Sequence, residues 1–414
     1  FRKSFMTDFD VIITGSGPAG TTLASYLSKM NLKTLIFDKS VFPRDKVCGE
    51  SISPGALNVL NEIGIKNEFE SINVEKVLGV SFTTPDQSCA TLYYPDKNYG
   101  YAISRRQLDK LLLDNARKQN GITSIEGFTL KNINIEKDKV IISGEKERQI
   151  KTFTGKILVG ADGRYSTTAK LLNLYKQGIE TGRHVYVATL ENARELKNTL
   201  ELEILNKKYQ YIFSKQYGEL ASIGVVINDP KFNKRDMNKE EFIKLIHKSD
   251  SLRPRFDNVK FETQLKGICL QNYSLKSLVD NRVIFIGDTT GYIDPITGEG
   301  MYRAFKSAKY ASETIFEAFA KDDFSKNSLM PYQQKLYNEF VSIYNFIKIA
   351  VLFTTNESIS NFVIKNISSA EKLGEKIAAL QGALAPGKDL FSGDTSKLLF
   401  SLFRSQLSQY VFGR

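Results

Sequence analysis

The sequence predicts an α/β fold in which a βαβ unit with a GxGxxG turn is interleaved with a mostly antiparallel β-sheet domain and followed by a C-terminal helical region. Three observations predict this fold. Near the N-terminus, two apolar runs flank a glycine-rich turn and a helical pattern. Short, partly alternating β-type segments fill residues 71–104 and 175–275. From residue 313 onward the apolar residues recur at helical spacing.

The composition is that of an ordinary globular protein, with 42% hydrophobic and 25% charged residues among 414. The formal net charge is +11, but the basic residues are spread along the chain, so we expect no nucleic-acid partner. The cysteines (Cys48, Cys89 and Cys269) form no CxxC pair and there are two histidines, which predicts neither a disulfide framework nor a metal site. This cysteine usage favours a reducing, cytoplasmic location. No run approaches about 20 apolar residues, so no spanning helix is expected.

Residues 9–40 contain a dinucleotide-binding fingerprint in its required context. An apolar strand leads into Gly15, Gly17 and Gly20, a helix follows, and a second apolar strand ends at Asp38. The first glycine permits the tight turn, the second lets the backbone approach a pyrophosphate, and the third lets helix and strand pack closely. Asp38 lies where a carboxylate accepts a hydrogen bond from a ribose hydroxyl.

Two later stretches repeat a strand–turn–helix pattern. In 157–170 a strand runs into a turn that contains Asp162, and Ser166 is placed to cap the next helix. In 282–311 a strand ends at Gly287-Asp288, and a bent loop leads to a long helix that begins near Met301. The residues that bend this loop are Pro295, Gly298 and Gly300.

Together, the GxGxxG turn and the segments "GADGRYS" and "GDTTGYIDPITGEG" resemble flavoprotein oxidoreductases with the p-hydroxybenzoate hydroxylase fold. "RDKVCGESISPGAL" and "DPITGEGMYRAFKSA" are similar to the geranylgeranyl reductase branch of that family. The resemblance covers residues from 8 to about 320 and implies FAD as the cofactor. It predicts a discontinuous FAD-binding domain at 6–70, 105–174 and 276–312, a substrate domain at 71–104 and 175–275, and a helical region at 313–414.

The resemblance also implies which residues contact FAD. Arg105 matches the family arginine at the cofactor, with Arg106 as the neighbouring alternative, and Arg44 matches a second position near it. A helix N-terminus after the Gly298–Gly300 turn would face the flavin pyrimidine and stabilise its anionic reduced form. The expected cofactor-binding residues are Gly15, Gly17, Pro18, Ala19, Gly20, Asp38, Lys39, Arg44, Cys48, Gly49, Arg105, Asp162, Gly287, Asp288, Pro295, Gly298, Gly300 and Met301.

The segment "KKYQYIFSK" resembles the family's substrate motif Tyr-x-Trp-x-Phe-Pro, with Tyr211 and Ser214 in place of the tryptophan and the proline. Tyr209, Tyr211 and Phe213 alternate, so they share one face of a strand. We expect them to form either a hydrophobic wall for the substrate or an ordinary cross-strand aromatic patch. In the first case, the hydroxyls of Tyr209 and Tyr211 are candidate catalytic proton donors.

Cys48 lies in a polar, turn-rich segment between the second strand and the next helix. Gly49 permits a close backbone approach, and Ser53-Pro54 predicts the start of that helix. In the reductase branch this segment lies beside the flavin and the substrate cavity. Cys48 is therefore either a catalytic residue that donates a proton or tunes the flavin, or a small packing residue. Glu50 is expected to contact the substrate.

Two reactions fit this set of residues. Reduced FAD either delivers a hydride to a C=C bond of a prenyl or lipid-like substrate, or activates oxygen for hydroxylation. The Cys48 segment and "TGEGMY" favour the reductase. Halogenation is expected least, because related halogenases carry Trp-x-Trp-x-Ile-Pro and this chain has no tryptophan. Lys76 lies only in the general region of their catalytic lysine.

The expected partners follow from the same resemblance. With one GxGxxG turn and no separate nicotinamide domain, electrons are expected from an external donor, either NAD(P)H or a ferredoxin. The net positive charge suits an acidic ferredoxin. The substrate is expected to be a hydrophobic small molecule. The helical region 313–414 is expected to be a soluble cap, with peripheral membrane contact as the alternative.

Overall fold

The computed structural model describes residues 7–46, 50–178, 180–271, 273–292, 296, 298–367 and 371–385. The strands among these residues are β1 (Phe9–Thr14), β2 (Thr34–Asp38), β3 (Ser51–Ile52), β4 (Glu75–Val77), β5 (Gly79–Thr83), β6 (Cys89–Tyr93), β7 (Gly100–Ala102), β8 (Ile122–Glu126), β9 (Thr129–Ile135), β10 (Val140–Lys146), β11 (Gln149–Gly160), β12 (Tyr175–Lys176), β13 (Glu180–Glu191), β14 (Leu200–Ile204), β15 (Tyr209–Lys215), β16 (Ala221–Asn228), β17 (Lys260–Phe261), β18 (Lys266–Gln271), β19 (Tyr273–Leu275), β20 (Val279–Asp280), β21 (Val283–Phe285) and β22 (Gly291–Tyr292). The helices are α1 (Pro18–Ser28), α2 (Pro54–Glu62), α3 (Lys66–Glu70), α4 (Arg105–Lys118), α5 (Thr167–Leu171), α6 (Lys239–Ile246), α7 (Gly300–Lys321), α8 (Lys326–Thr355), α9 (Glu357–Ile367) and α10 (Glu371–Gln381).

The first sheet contains the predicted βαβ unit. Its strand order is β20-β21-β11-β1-β2-β8, and β10 and β9 continue from β11. The central strands β21, β11, β1, β2 and β8 run parallel, since each adjacent pair among them is parallel. Val11, Ile12 and Ile13 of β1 are fully buried, as expected for a parallel strand covered on both faces. The carboxyl ends of β1, β2 and β11 therefore meet at one edge, where such sheets bind ligands.

The second sheet is mostly antiparallel and has the order β17-β13-β16-β15-β14-β5-β6, with β18 also paired to β13. The β14–β5 pair is parallel, and the other pairs are antiparallel. One face of this sheet packs against α6, with Phe242, Leu245 and Ile246 buried between them. The opposite face covers the edge of the first sheet. This arrangement confirms the predicted interleaving of a βαβ unit with an antiparallel sheet.

The predicted C-terminal helical region is also confirmed over its described residues, 313–367 and 371–385. Helix α7 packs against α1 and α2 in the main core, and α8 packs back on α7 through Tyr332, Leu336 and Phe340. Helices α9 and α10 lie against β6. Contrary to the expectation from the sequence, α8 has the length and apolar composition of a membrane-spanning helix, a test that core helices of soluble proteins also pass.

Candidate active site

A cavity of about 470 Å³ lies where the two sheets meet. It is bounded by the ends of β1 and β2, the first turns of α1 and α7, one face of the second sheet and part of α8. Most of the expected cofactor-binding residues line it. They are Gly15, Gly17, Pro18, Ala19, Asp38, Lys39, Arg44, Arg105, Asp162, Asp288, Gly298, Gly300 and Met301.

Three other expected residues, Cys48, Gly49 and Pro295, lie outside the described residues. Two more, Gly20 and Gly287, lie just behind the cavity lining. A Cβ on Gly287, whose φ is +61°, would come 2.8 Å from the Cβ of Ala19. Gly287 thus lets α1 pack closely on the turn that carries Asp288.

The turn between β1 and α1 shows why its sequence needs glycine. Gly15 has a φ of +101°, and a Cβ there would come 2.4 Å from the carbonyl oxygen of Ala161. A Cβ on Gly20 would come 2.0 Å from the carbonyl oxygen of Gly15. Gly17 caps α1 without a side chain, so the free N–H groups of the first turn can face an anion in the cavity. The hydroxyl of Ser16 is buried and has no hydrogen-bond partner.

Asp38 is fixed in place at the end of β2. Its Oδ2 accepts a hydrogen bond from Ser16 N–H (3.0 Å), and its Oδ1 accepts one from Ser40 N–H (2.8 Å). The Arg44 guanidinium lies between Asp38 (3.7 Å) and Asp109 (3.6 Å). Its Nε is buried and unpartnered. A carboxylate and a guanidinium held at the end of a second strand suit a ribose and a phosphate.

Arg105 and its neighbour Arg106 occupy different environments. Arg105 begins α4 and forms a bidentate pair with Asp109, with Nε–Oδ1 and Nη2–Oδ2 distances of 2.8 and 2.9 Å. Arg106 instead points to the surface and pairs with Asp45 at 3.4 Å. Of the two alternatives, Arg105 therefore lies at the cavity. Lys46 lines the same region, and its pKa is lowered by burial and by the positive charge of Arg105.

Asp162 lines the cavity, and its carboxylate has hydrogen-bond partners within the protein. Its side chain accepts hydrogen bonds from Ser166 Oγ (2.5 Å), Thr168 N–H (2.9 Å) and Thr168 Oγ1 (3.0 Å). These bonds organise the first turn of α5, where Ser166 is the predicted N-cap and accepts from Ala169 N–H. Asp162 thus lies on the cavity wall with its carboxylate bound to α5.

Glu50 links helix α4 to the second sheet at the cavity. Its Oε1 accepts a hydrogen bond from Arg105 N–H (3.1 Å), and its Oε2 accepts one from the Thr189 hydroxyl of β13 (3.4 Å). Burial raises its pKa to about 7, against the lowering effect of these bonds. Its position on the cavity wall agrees with the expected substrate contact, while its bonds also tie α4 to the second sheet.

The structure contradicts the catalytic and substrate roles predicted for Tyr209, Tyr211 and Phe213. The three side chains do share one face of β15, but that face packs against α6, away from the cavity. Tyr211 is fully buried and donates a hydrogen bond to Leu245 O (2.6 Å). The residue of β15 that reaches the cavity is Ile212. The alternative interpretation, an ordinary aromatic patch, describes this stripe.

Sequence reasoning missed two charged residues at the start of α7. Glu299 is 6% exposed and lines the cavity, and neither of its carboxyl oxygens has a hydrogen-bond partner. Arg303 lies one turn later, donates to Thr290 Oγ1 (2.8 Å) and packs against the rings of Phe340 and Tyr344. The sequence did contain a signal for Glu299, because this glutamate lies between the two turn glycines that precede α7. The N-terminus of that helix faces the cavity.

A second, apolar cavity of about 120 Å³ adjoins the first. Val80, Phe82 and Leu202 of the second sheet form one wall, and side chains from α8, α9 and α10 form the other. Both cavities are lined by Leu200, Ile212 and Ile296. The two cavities therefore adjoin along these three side chains, and the second forms an apolar extension under the C-terminal helices. Within the described residues, no cluster of histidine, cysteine, aspartate or glutamate could hold a metal ion.

The cavity residues fit FAD on observations of this structure. The glycine turn leaves a cradle that any Cβ would fill, and Ser16 Oγ and Arg44 Nε are buried polar atoms without protein partners. The N-termini of α1 and α7 both meet the cavity, which suits the pyrophosphate at one and the flavin at the other.

Comparisons with known proteins agree with this fit. A family model described as FAD binding domain matches residues 8–333. The chain is 26% identical over 387 residues to a 1H-pyrrole-2-carbonyl-[peptidyl-carrier protein] chlorinase of Pseudomonas fluorescens, covering 84% of this chain and 85% of the relative. It is 29% identical over 341 residues to a digeranylgeranylglycerophospholipid reductase of Methanocaldococcus jannaschii, covering 79% and 82%.

The fold is shared with solved flavoproteins. A flavoprotein/dehydrogenase from Cytophaga hutchinsonii superposes with a TM-score of 0.80 at 19% identity, covering 90% of this chain and 92% of that one. The family match spans most of the chain and includes the whole cradle described above. The protein therefore belongs to the FAD-binding domain family of oxidoreductase-type flavoenzymes.

Proposed function

We propose that this protein is an FAD-dependent reductase of the geranylgeranyl reductase type, which saturates a C=C bond in a long hydrophobic substrate. The observation that supports the proposal is the apolar cavity that adjoins the cofactor cavity at Leu200, Ile212 and Ile296. A prenyl or lipid-like chain suits such a lining, because transfer of apolar surface from water is favourable there. The similarity to the Methanocaldococcus reductase supports the same substrate class.

Different groups of cavity residues would hold different parts of FAD and the substrate. The first turn of α1, Asp38 and Arg44 would hold the pyrophosphate and ribose of FAD. The loop that carries Asp288 and the first turn of α7 would hold the isoalloxazine. FAD, when bound and reduced, supplies a hydride. The face of the second sheet that carries Ile212 and Val187 would exclude water. It would also hold the double bond of the substrate beside the isoalloxazine.

The second candidate function is oxygen chemistry, and the similarity to the Pseudomonas chlorinase favours it. Two observations weigh against halogenation in particular. The chain contains no tryptophan. Lys76, in the general region of the halogenases' catalytic lysine, is exposed on β4 with its Nζ 4.1 Å from the ring centroid of Tyr99. A hydroxylase remains the stronger form of this alternative.

We also propose that the electrons come from an external donor, NAD(P)H or an acidic ferredoxin. The net charge of +11 supports an acidic partner. We propose a cytoplasmic location, which the cysteine usage supports. Peripheral membrane contact through α8 is a proposal supported by its exposed apolar residues, such as Leu352.

The test uses the purified holoprotein, reduced under strictly anaerobic conditions and mixed with isoprenoid alkenes of increasing chain length. We expect flavin reoxidation followed at its visible absorption band, a product heavier by two hydrogens, and faster reaction with longer chains. Ile349→Trp, which fills the apolar extension, should abolish the preference for long chains while short alkenes still react. Tyr337→Trp, an exposed position on the same helix, is the matched control.

If no alkene reoxidises the flavin, the reductase proposal is wrong. A parallel aerobic arm with lipids, aromatic compounds and halide salts then identifies the chemistry. A hydroxylated product supports the second candidate, and a halogenated product would overturn the argument from Lys76 and the missing tryptophan.

A further inference from the structure

Saturating a double bond requires a proton as well as a hydride. Of the donors expected from the sequence, Tyr209 and Tyr211 do not face the cavity, and Cys48 lies outside the described residues. The Tyr211 hydroxyl donates a hydrogen bond to Leu245 O in the layer behind the sheet. Tyr209 lies on the same outer face. Within the part of the chain that the structure describes, the proton for the proposed reduction would therefore come from another acid on the cavity wall.

Most carboxyl groups on the cavity wall are engaged elsewhere. Asp38 accepts two backbone hydrogen bonds, Glu50 joins Arg105 to Thr189, and Asp162 caps α5. Among the described residues, Glu299 differs because its carboxyl group is buried at the cavity and both its oxygens lack partners. A buried carboxylate without hydrogen bonds is costly, so this group is favoured in its neutral, proton-carrying form.

The surroundings of Glu299 agree with a group that alternates between neutral and charged states. Burial raises its pKa to about 8, and the positive charge of Arg303 partly opposes the rise. Tyr302 and Arg303 face it from α7, Tyr344 lies on α8 beside Arg303, and Asp288 lies within 4.0 Å of a Cβ placed on Gly300. Arg303 has a buried Nε free to stabilise the carboxylate once it forms.

We propose that Glu299 is the catalytic acid that supplies the proton in double-bond reduction. This inference rests on the proposed function. In the balanced step, the π bond of the alkene breaks and one of its carbons would receive the hydride that reduced FAD supplies, which leaves FAD oxidised. The Glu299 O–H bond breaks, and its proton forms the new C–H bond at the other carbon. Glu299 is left as a carboxylate beside Arg303 and regains a proton from solvent before the next turnover.

The first measurement is the rate of flavin reoxidation by an alkene, recorded anaerobically from pH 6 to about 10. In the wild-type protein we expect a flat rate below pH of about 8 and a fall of about tenfold per pH unit above it, since the acid is then deprotonated. Glu299→Gln should bind FAD and be reduced normally, but should react about 100-fold slower with no such pH dependence. Glu299→Asp should recover part of the rate, and Glu317→Gln, exposed on the same helix, should match the wild type.

The second measurement is infrared difference spectroscopy, which does not depend on turnover. The wild type should show the C=O band of a neutral carboxylic acid that shifts in D2O and disappears above pH of about 8, and Glu299→Gln should lack it. A Glu299→Gln protein that keeps the wild-type rate and pH profile overturns the role of Glu299 and leaves the proposed function standing. A wild type that no alkene reoxidises overturns both.

Discussion

On the cavity side of the second sheet, a row of side chains crosses five strands. Phe82, Leu202, Ile212, Gly224 and Val187 lie directly opposite one another on β5, β14, β15, β16 and β13. They are aliphatic or aromatic except for the glycine, where nothing comes nearer than 3.5 Å to a Cβ. This face leaves space that the two adjoining cavities occupy.

The other side of the same strands is filled. Tyr211 and Val225, one residue along, lie opposite each other and are fully buried. Phe213 packs edge-on against Phe256 with ring centroids 5.8 Å apart, and the Tyr211 hydroxyl is bonded to Leu245 O. Close packing and satisfied polar groups are the properties of a core. The face with the stripe of Tyr209, Tyr211 and Phe213 thus stabilises the fold. The cavity face carries mostly aliphatic side chains and leaves space for a ligand.

One face of the sheet is packed against α6 and the other is open to the cavity. The substitution that lowers stability most should therefore lie on the packed face. Tyr211→Ala should lower the free energy of unfolding by about 3–5 kcal/mol, since it removes a fully buried ring from a packed core. Chemical denaturation of the holoprotein measures this loss. The folded fraction should keep wild-type FAD content and chain-length preference; a changed preference would return Tyr211 to the substrate site.

A matched pair of insertions should give opposite results on the two faces. Gly224→Leu adds a side chain to the open face, so we expect little change in stability but at least a tenfold loss in reoxidation by long alkenes. Val225→Phe overpacks the filled face, so it should cost about 1–3 kcal/mol of stability and leave the reoxidation rate of the folded protein unchanged. Denaturation and anaerobic reoxidation are measured on both. If both variants lose the same property, the faces are not functionally distinct.

The cavity face also carries a pH-dependent contact. Glu50 binds Thr189 on this face, and burial raises its pKa to about 7 in the folded protein, above its ordinary value of 4.5. The folded state therefore holds the proton more tightly than the unfolded chain, so the contribution to stability is full below pH of about 4.5 and is lost as pH rises through about 7.

Glu50→Gln keeps an acceptor for Arg105 N–H but removes the titration. At pH 8 the variant should be more stable than the wild type by about 1–2 kcal/mol, less than the full pKa shift implies because the half-buried carboxyl still reaches solvent. The difference should vanish near pH 4. Melting temperatures across this range measure it, and a constant gap at every pH would show that Glu50 does not titrate in this window.

The features that sequence predicted well are those set by local sterics. Gly15 and Gly20 are required because a Cβ would collide with backbone only a few ångströms away, and the spacing of the turn encodes that requirement. Asp38 was predicted because the second apolar run of the sequence ends at this residue, which is also the last residue of β2. The resemblance selected Arg105 over Arg106, and these consecutive arginines point in different directions because both lie in the first turn of α4, where successive side chains are about 100° apart.

The features that sequence reasoning missed depend on distant packing. Alternation established that Tyr209, Tyr211 and Phe213 share a face, but which face meets the cavity depends on where α6 packs, about thirty residues later in the chain. Glu299 similarly looks like a solvated turn residue, and its burial depends on residues of α8 such as Phe340 and Tyr344 that close the cavity.

The smallest expected effect is the difference in stability between removing the hydroxyl of Tyr211 and removing that of Tyr209. Tyr211→Phe keeps the buried ring and removes the hydrogen bond to Leu245 O, which still accepts from Lys248 N–H at 3.2 Å. We expect a loss of about 1 kcal/mol, because one acceptor bond is lost without leaving the carbonyl unpaired. Tyr209→Phe is the control, since its hydroxyl meets Lys248 Nζ at 3.4 Å near the surface and should contribute almost nothing. Denaturant midpoints resolve the difference. Equal losses in both variants would mean that the outer face is looser than its packing indicates, whereas a loss of alkene turnover in either variant would place that hydroxyl in the reaction after all.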